Sequence, residues 1–327
     1  MQITASAPGK VILFGEHAVV YGKPAIAVAV KKYAHITINE RSDSQINLEI
    51  VRLGVNASLN LGDESINCQN DQIETGILKY VLKALKLFQE IKEPPKGMDI
   101  TLEIEMPVGA GLGSSAAVTV ATLAAASKYY ETDLKLEEIA SLAHQVELEV
   151  QGAASPIDTT LSTYGGAIYL KRNANGIEKL PLNWELPLVI GHTPREGNTA
   201  ELVKKVRSKM DDYPSLITHI FQSIEQITEE AREALIEKDD KKLAELMNIN
   251  HGLLDALGVN TPALSEMVYM ARKNGALGSK ITGAGGGGSI IAFCPVKIEG
   301  VLRELKKIEN AFQAHITYEG VLTNVKE

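Results

Sequence analysis

The sequence predicts an α+β protein made of two domains. The first third of the chain is rich in short β-favouring runs, and the second half consists mainly of segments with helical spacing of apolar residues. The length of 327 residues corresponds to two globular domains or to one large one. A proline-containing stretch around Trp184 separates the two parts. We therefore expect a first domain at residues 1–181 and a second at 182–327.

Each element follows from the local spacing of apolar residues. Alternating or β-branched runs between polar or glycine-containing turns predict strands, and apolar residues three and four positions apart predict helices. Pro94 and Pro95 end the first helix, and Asp133 is the expected N-cap of the third. The predicted strands are at 3–6, 11–14, 25–30, 35–39, 47–53, 99–104, 167–170, 188–192, 289–294 and 315–318. The predicted helices are at 73–88, 116–130, 134–151, 199–210, 216–238, 241–257, 261–274 and 298–312.

Composition and charge exclude several classes of protein. Apolar residues make up 45% and charged residues 23%, which is typical of a soluble folded chain and excludes a disordered one. The 41 acidic and 33 basic residues give a net charge of −8, so we expect no nucleic acid and no membrane as a partner. The uncharged stretch at 106–127 is too polar for a membrane span, and residues 1–13 lack the pattern of a signal peptide.

The two cysteines, Cys68 and Cys294, lie far apart, and neither has a second cysteine or a histidine at metal-binding spacing. This excludes disulfide scaffolds and zinc ribbons. We expect a reducing, cytoplasmic compartment, with one long-range disulfide as the alternative.

A glycine-rich loop lies between a predicted strand and a predicted helix. It contains Gly109, Gly111 and Gly113, and two serines follow. The unpaired N–H groups of a helix N-terminus bind anions, phosphate above all, and glycines let the backbone come close to the ligand. A P-loop would need a lysine after the last glycine, and a dinucleotide-binding fold would need a strand that ends in an acid about twenty residues later. Both patterns are missing, so the loop predicts a phosphate site of another class, with a ligand-free turn as the alternative.

A second glycine run occupies residues 283–288, where five of the six residues are glycine. Such a run is entropically costly, which indicates that another backbone or a ligand approaches closely. A flexible turn is the alternative, but the run leads directly into a strand with the sequence of a buried one.

Polar residues mark both ends of the predicted strand at 11–14. Lys10 precedes this strand, and Glu16 and His17 follow it. Singly, each is most often a solvated charge or part of a loop, but together they indicate a polar site.

Two acidic residues follow the glycine-rich loop. Asp158 lies among small and apolar residues and is an N-cap, a turn former or a functional carboxylate. Glu147 borders the apolar face of the predicted helix at 134–151. An acid at such a border is most often half exposed.

Three of these segments occur in an order that resembles the signature motifs of the GHMP kinases (galacto-, homoserine, mevalonate and phosphomevalonate kinases). They are residues 8–17, 109–117 and 280–289. The resemblance runs from residue 5 to about residue 293. It implies a two-domain α+β GHMP kinase fold with the active site in the cleft between the domains.

The continuation of the first motif over residues 18–27, together with residues 250–259, looks most like the mevalonate kinase branch. That branch implies transfer of the γ-phosphate of ATP, as co-substrate, to the primary hydroxyl of mevalonate, with Mg²⁺ as cofactor. Phosphomevalonate kinase, or another GHMP small-molecule kinase, is the alternative within the family. A catalytically inactive metabolite sensor on the same fold is the alternative outside it, and a homodimer is an open expectation.

The resemblance also implies where ATP and its metal bind. Ser115, or in its place Ser114, would help to hold Mg²⁺. Glu147 matches the second metal ligand, because it lies eleven positions before Asp158 as the family pattern requires. The expected phosphate-binding residues are Pro107, Gly109, Ala110, Gly111, Leu112, Gly113, Ser114, Ser115 and Ala116.

The remaining roles concern the acceptor alcohol. Asp158 matches the carboxylate that takes the proton of the hydroxyl, and Lys10 would lie beside it. Glu16 and His17 would face mevalonate. The glycine run at 283–288 would support the floor of the cleft and approach the phosphates.

The sequence departs from the family pattern at Pro156, where the family commonly has a glycine two positions before the aspartate. Proline fixes φ near about −65° and has no N–H, so we expect the loop before Asp158 to be built differently. Arg195 and Thr199 are further candidates for contacts with substrate or phosphate, although their stretch does not align clearly with the family.

Overall fold

The computed structural model describes residues 1–60, 64–68, 76–91, 96–107, 109–152, 154–171, 176–194 and 197–326. The strands are β1 Gln2–Phe14, β2 Ala25–Glu40, β3 Ile46–Ile50, β4 Val55–Asn60, β5 Ser65–Cys68, β6 Met98–Ile104, β7 Ala167–Leu170, β8 Ile177–Lys179, β9 Leu188–His192, β10 Gly278–Thr282, β11 Ser289–Phe293, β12 Asn310–Ala314 and β13 Leu322–Lys326. The helices are α1 Gly76–Ile91, α2 Ser114–Tyr129, α3 Leu136–Gln151, α4 Pro156–Tyr164, α5 Thr199–Asp212, α6 Pro214–Glu237, α7 Asp240–Ala256, α8 Pro262–Lys273 and α9 Ile298–Leu305. The α+β class predicted from the sequence is confirmed.

The first sheet has nine strands within the described part of the chain, in the order β13-β1-β2-β6-β3-β4-β5, and β7 and β8 extend it beside β2. The long strands β1 and β2 pair antiparallel, and their alternating apolar residues enter the core. Helix α2 is buried along nearly its whole length, because its alanines and other small residues let α1, α3, α4 and the sheet pack closely around it. This packing fixes the N-terminus of α2 above β1.

The second sheet is antiparallel, in the order β10-β11-β9-β12. Helices α7, α8 and α9 pack on its strands, and α6 bridges back to β1 and β2 of the first sheet. Strand β10 is fully buried, although Ser279, Lys280 and Thr282 among its five residues are polar. Of the helices in the described ranges, none has the length and apolar composition needed to cross a bilayer.

The chain passes from the first sheet to the second between Lys179 and Leu188, and the predicted boundary at 181/182 falls in this connection. The final strand β13, however, pairs with β1 and returns the end of the chain to the first sheet. The division into 1–181 and 182–327 therefore stays a prediction.

Several predicted elements need correction. The strands expected at 3–6 and 11–14 form one continuous strand, as do those at 25–30 and 35–39. The antiparallel pairing of these two long strands continues through residues 7–10 and 31–34, with a register shift between Pro8 and Gly9. The helix expected at 298–312 ends at Leu305 and β12 follows. The strand expected at 315–318 is only a single bridge between Ile316 and Val30. The N-cap of α3 is Lys135, because Asp133 adopts a positive φ of 46° two residues earlier.

Candidate active site

The first glycine loop connects β6 to α2 and presents the start of that helix. Gly109, Gly111 and Gly113 have φ values of 75°, 73° and 72°, which glycine adopts readily. Gly113 is the N-cap of α2, and a Cβ there would lie 2.8 Å from Cγ of Lys10. Since glycine has no side chain to cap the helix, the N–H groups of the first turn are left for an anion.

The glycine run at 283–288 lies directly against the first loop. The hydroxyl of Ser289 donates a hydrogen bond to the carbonyl of Ala110 at 2.7 Å, which joins the second sheet to the first loop. A Cβ on Gly285 would lie 2.3 Å from the carbonyl oxygen of Val259. The close approach of another backbone that the sequence predicts is therefore confirmed.

Asp158 lies in the first turn of α4, and its side chain pairs with that of Lys10 from β1. Ser155 caps this helix by accepting the Ile157 N–H at 3.4 Å, and Pro156 occupies the first helical position, where no N–H is needed. The sequence predicts that the segment before Asp158 is built differently from the family pattern, and in the structure this segment is the start of a helix. The Lys10 ammonium lies 3.2 Å from Oδ2 of Asp158, whose side chain is 26% exposed. This carboxylate is therefore paired yet accessible.

Glu147 and Ser115 bring two oxygens together beside this pair. The Ser115 hydroxyl donates to Oε1 of Glu147 at 2.8 Å, and the Gln151 amide donates to the same oxygen at 3.3 Å. The side chain of Glu147 is buried rather than half exposed. Burial first, and then the charge of Asp158, raise the pKa of Glu147 to about 7, against the lowering effects of Ser115 and Lys10.

These oxygens fit Mg²⁺ by their chemistry. Mg²⁺ prefers hard oxygen ligands, keeps several waters and is completed by substrate phosphates. Among the residues that the structure describes, no group of three or more His, Cys, Asp or Glu side chains could hold a metal ion. The Ser115 hydroxyl and the buried Glu147 carboxylate, beside the N-terminus of α2, are oxygen ligands of the kind that such an ion accepts. A divalent cation would also compensate the buried charge of Glu147.

Glu16 and His17 form a tight turn at the end of β1. His17 has a φ of 60° and a ψ of −45°, and the Ala18 N–H donates to the Glu16 carbonyl at 2.7 Å, which is a γ-turn, a rare and strained conformation. Its Nε2–H donates to the carbonyl of Ala284 at 2.8 Å in the second glycine run. Burial lowers the pKa of His17, so the ring is neutral and Nδ1 is left as an acceptor.

Glu16 is enclosed together with Lys280 from β10. The Lys280 ammonium pairs with Oε1 of Glu16 and also donates to the carbonyl of Ile281 at 2.7 Å. Burial raises the pKa of Glu16 and lowers that of Lys280, and the attraction between their charges opposes both shifts. Oε2 of Glu16 is buried and makes no hydrogen bond within the described residues.

The structure thus brings the sequence candidates to one place between the two sheets. Thr199 begins α5, and the preceding Gly197 lies against Gly285 of the second glycine run. Arg195 lies outside the described residues. No role was predicted for Lys280, because its strand was not predicted and the polar Ser279 and Thr282 beside it leave no apolar pattern that would single out the lysine. It also gave none to Tyr80, whose hydroxyl interacts with Ser115.

Comparison with known proteins identifies the family. The model for the N-terminal domain of GHMP kinases matches residues 79–166, and the model for their C-terminal domain matches residues 231–311. The chain is similar to a mevalonate kinase from Thermococcus sibiricus, with 45% identity over 94% of this chain and 93% of that protein.

Solved structures agree with this. The crystal structure of Methanococcus jannaschii mevalonate kinase has a TM-score of 0.81 and 34% identity, and the match covers 96% of this chain and 98% of that one. The structure of L. major mevalonate kinase in complex with R-mevalonate has a TM-score of 0.80 and 26% identity, with 95% of each chain covered. The chain therefore belongs to the GHMP kinase family, and within it to the mevalonate kinases.

Proposed function

We propose that this chain transfers the γ-phosphate of ATP to the primary hydroxyl of mevalonate, giving 5-phosphomevalonate and ADP. The observation that carries this proposal is the 3.2 Å pairing of Lys10 with Asp158 beside the uncapped N-terminus of α2. Phosphoryl transfer needs positioning and charge compensation more than covalent catalysis. The site supplies both within a few side chains.

The phosphates are held by the first glycine loop. The N–H groups and the positive end of the α2 dipole face the bound anion. Ser115 and Glu147 hold Mg²⁺, with Ser114 as the alternative hydroxyl ligand. When bound, the ion neutralises charge that develops on the phosphate oxygens. The second glycine run supports this loop through Ser289.

Asp158 accepts the proton of the alcohol while the alcohol oxygen forms a bond to the γ-phosphorus of ATP. At the same time, the bond between the γ-phosphorus and the leaving oxygen of ADP breaks. A hydroxyl is a weak nucleophile until its proton has an acceptor. Lys10 pairs with this carboxylate and keeps it in place. All three groups that an inactive sensor would have lost, Lys10, Glu147 and Asp158, are present and close together.

The acceptor alcohol lies against Glu16 and His17. Both offer hydrogen-bond acceptors, Oε2 of Glu16 and Nδ1 of His17, which suits a hydroxylated molecule. The two lysines described in the site, Lys10 and Lys280, are each paired with a carboxylate. This favours an unphosphorylated alcohol over phosphomevalonate. The mevalonate complex of the L. major relative supports the same choice.

A coupled assay of ADP release tests the function. The purified chain is supplied with Mg²⁺·ATP and, in turn, mevalonate, phosphomevalonate, galactose and homoserine. We expect mevalonate to give the highest kcat/KM. Preference for another acceptor would contradict the proposed substrate. If none of the four acceptors supported ADP release, the result would favour a catalytically inactive sensor.

We also propose a cytoplasmic location and a homodimer. Both cysteines, Cys68 and Cys294, are free thiols, as expected in a reducing compartment. Light scattering of the purified chain tests the dimer, and a monomer across the working concentration range would contradict it.

A further inference from the structure

A lysine–glutamate pair is enclosed where the two sheets meet. Lys280 is 0% exposed and Glu16 is 1% exposed. The Lys280 ammonium contacts Oε1 of Glu16 and the carbonyl of Ile281, and it lies 5.9 Å from the centre of the Phe14 ring. The pair thus joins the turn after β1 to strand β10, and we call it the enclosed pair.

Stability alone does not explain the enclosed pair. Removing two charges from water is unfavourable, and well-packed apolar side chains of similar volume often replace such a pair without loss of stability. One acceptor of the pair also stays unsatisfied, because Oε2 of Glu16 is buried without a hydrogen bond among the described residues. Buried acceptors in folded proteins nearly always have a donor. A donor from a bound alcohol would satisfy this one.

The position of Lys10 adds a second reason. Lys10 pairs with Asp158 at 3.2 Å, and its charge also acts on Glu16 and on Glu147. Within 4 Å, among the described residues, Lys10 pairs with Asp158 and with neither glutamate. Lys280 compensates the charge of Glu16 and so leaves Lys10 to Asp158.

We propose that Lys280 is a positioning residue for the acceptor alcohol. It holds Oε1 of Glu16 so that Oε2 receives a hydrogen bond from a substrate hydroxyl, and it prevents Glu16 from drawing Lys10 away from Asp158. This inference rests on the proposed function, since it requires a hydroxylated acceptor beside Glu16. Lys280 itself touches no reacting atom.

A double-mutant cycle tests the role of Lys280. The variants are Lys280→Met, Glu16→Gln and the double variant, each measured for Tm, KM for the alcohol and KM for ATP. The alcohol used is the acceptor that the wild-type protein prefers in the ADP-release assay described above. An error in the proposed substrate would therefore appear in the wild-type assay and not in this cycle. Lys23→Met is the matched control, because Lys23 likewise pairs across the two predicted domains, with Glu225 at 2.5 Å, and neither residue has a role in the proposed site.

We expect Lys280→Met to raise KM for the alcohol by about tenfold or more, the effect of one lost charged hydrogen bond, with KM for ATP changed by less than about twofold. The double variant should regain the Tm lost by Lys280→Met but keep the raised KM. Lys23→Met should leave both KM values unchanged.

A purely structural pair gives a different pattern. Lys280→Met would then lower Tm while KM for the alcohol stayed at the wild-type value, and this result would overturn the inference. If Lys280→Met does not fold, the double variant, which leaves no unpaired charge, carries the measurement. A wild-type KM in the folded double variant would equally overturn it.

Discussion

Two lysine–carboxylate pairs of the site differ in their exposure and in what they can do. The enclosed pair, Lys280 with Glu16, is cut off from solvent. The open pair, Lys10 with Asp158, leaves the aspartate side chain 26% exposed at 3.2 Å from its lysine. The partly exposed Asp158 is free to take a proton from a substrate, whereas Glu16, held by Lys280, offers only its Oε2 atom to orient one. Each pair joins a lysine to a carboxylate, and we attribute the different proposed roles, chemistry for the open pair and positioning for the enclosed one, to the difference in burial.

The largest effect is expected from breaking the open pair. Asp158→Asn keeps the size of the side chain but removes the proton acceptor, so we expect kcat to fall by at least about a hundredfold. Affinity for ATP, measured by calorimetry, should stay near the wild-type value because the glycine loop is untouched. Turnover close to wild type would remove Asp158 from the role of base.

Glu147 combines features of both pairs, because it is buried like the enclosed pair and lies beside the open pair. Its pKa of about 7 stands above the ordinary value of 4.5, so a proton occupies it increasingly as pH falls below about 7. Mg²⁺ must displace that proton. The apparent affinity for Mg²⁺ should therefore decrease as pH falls below about 7, approaching about tenfold per pH unit.

Two variants separate charge from coordination at this position. Glu147→Gln should weaken Mg²⁺ binding by at least about tenfold and abolish its pH dependence between pH 5 and 7, roughly the range below the shifted pKa. Ser115→Ala should weaken binding but keep the pH dependence. Metal titrations of activity at several pH values measure both. Curves identical to wild type in both variants would place the metal elsewhere.

The smallest effect is expected from a substitution that adds a methyl group next to Lys10 of the open pair. Gly113→Ala introduces a Cβ 2.8 Å from Cγ of Lys10, at a residue whose φ is 72°. The left-handed conformation costs an alanine about 1–2 kcal/mol, and Lys10 must shift. We expect a lower free energy of unfolding by denaturant and a modest fall in kcat. Gly54→Ala is a control for the conformation alone, since Gly54 has a φ of 61° and a Cβ there has nothing within 4 Å. Equal kinetic effects of both variants would show that contact with Lys10 is unimportant.

The sequence predicted the parts of the site that depend on local signals. The glycine loop before α2 follows from the order of strand, glycines and helix, and the structure has this order. Helix α4 was missed, although Ser155, Pro156 and Asp158 are a typical helix start. Because the family commonly has a glycine at this position, a loop was expected before Asp158. In the structure, Pro156 instead occupies the first position of a helix.

The rest could not be predicted from local pattern, because it depends on long-range contact. Glu16 and Lys280 are 264 positions apart, and no periodicity relates them. Strand β13 has five exposed residues and exists because it pairs with β1 at the other end of the chain. The burial of Glu147 likewise results from the way α1, α2 and α3 pack together.

A crystal structure of the chain with Mg²⁺, a non-hydrolysable ATP analogue and mevalonate tests the division of labour between the two pairs most directly. We expect the primary hydroxyl oxygen to lie within hydrogen-bond reach, about 2.6–3.2 Å, of the Asp158 carboxylate, and a second substrate hydroxyl to donate to Oε2 of Glu16. Mevalonate bound with its primary hydroxyl remote from Asp158, or with no contact to Glu16, would contradict it.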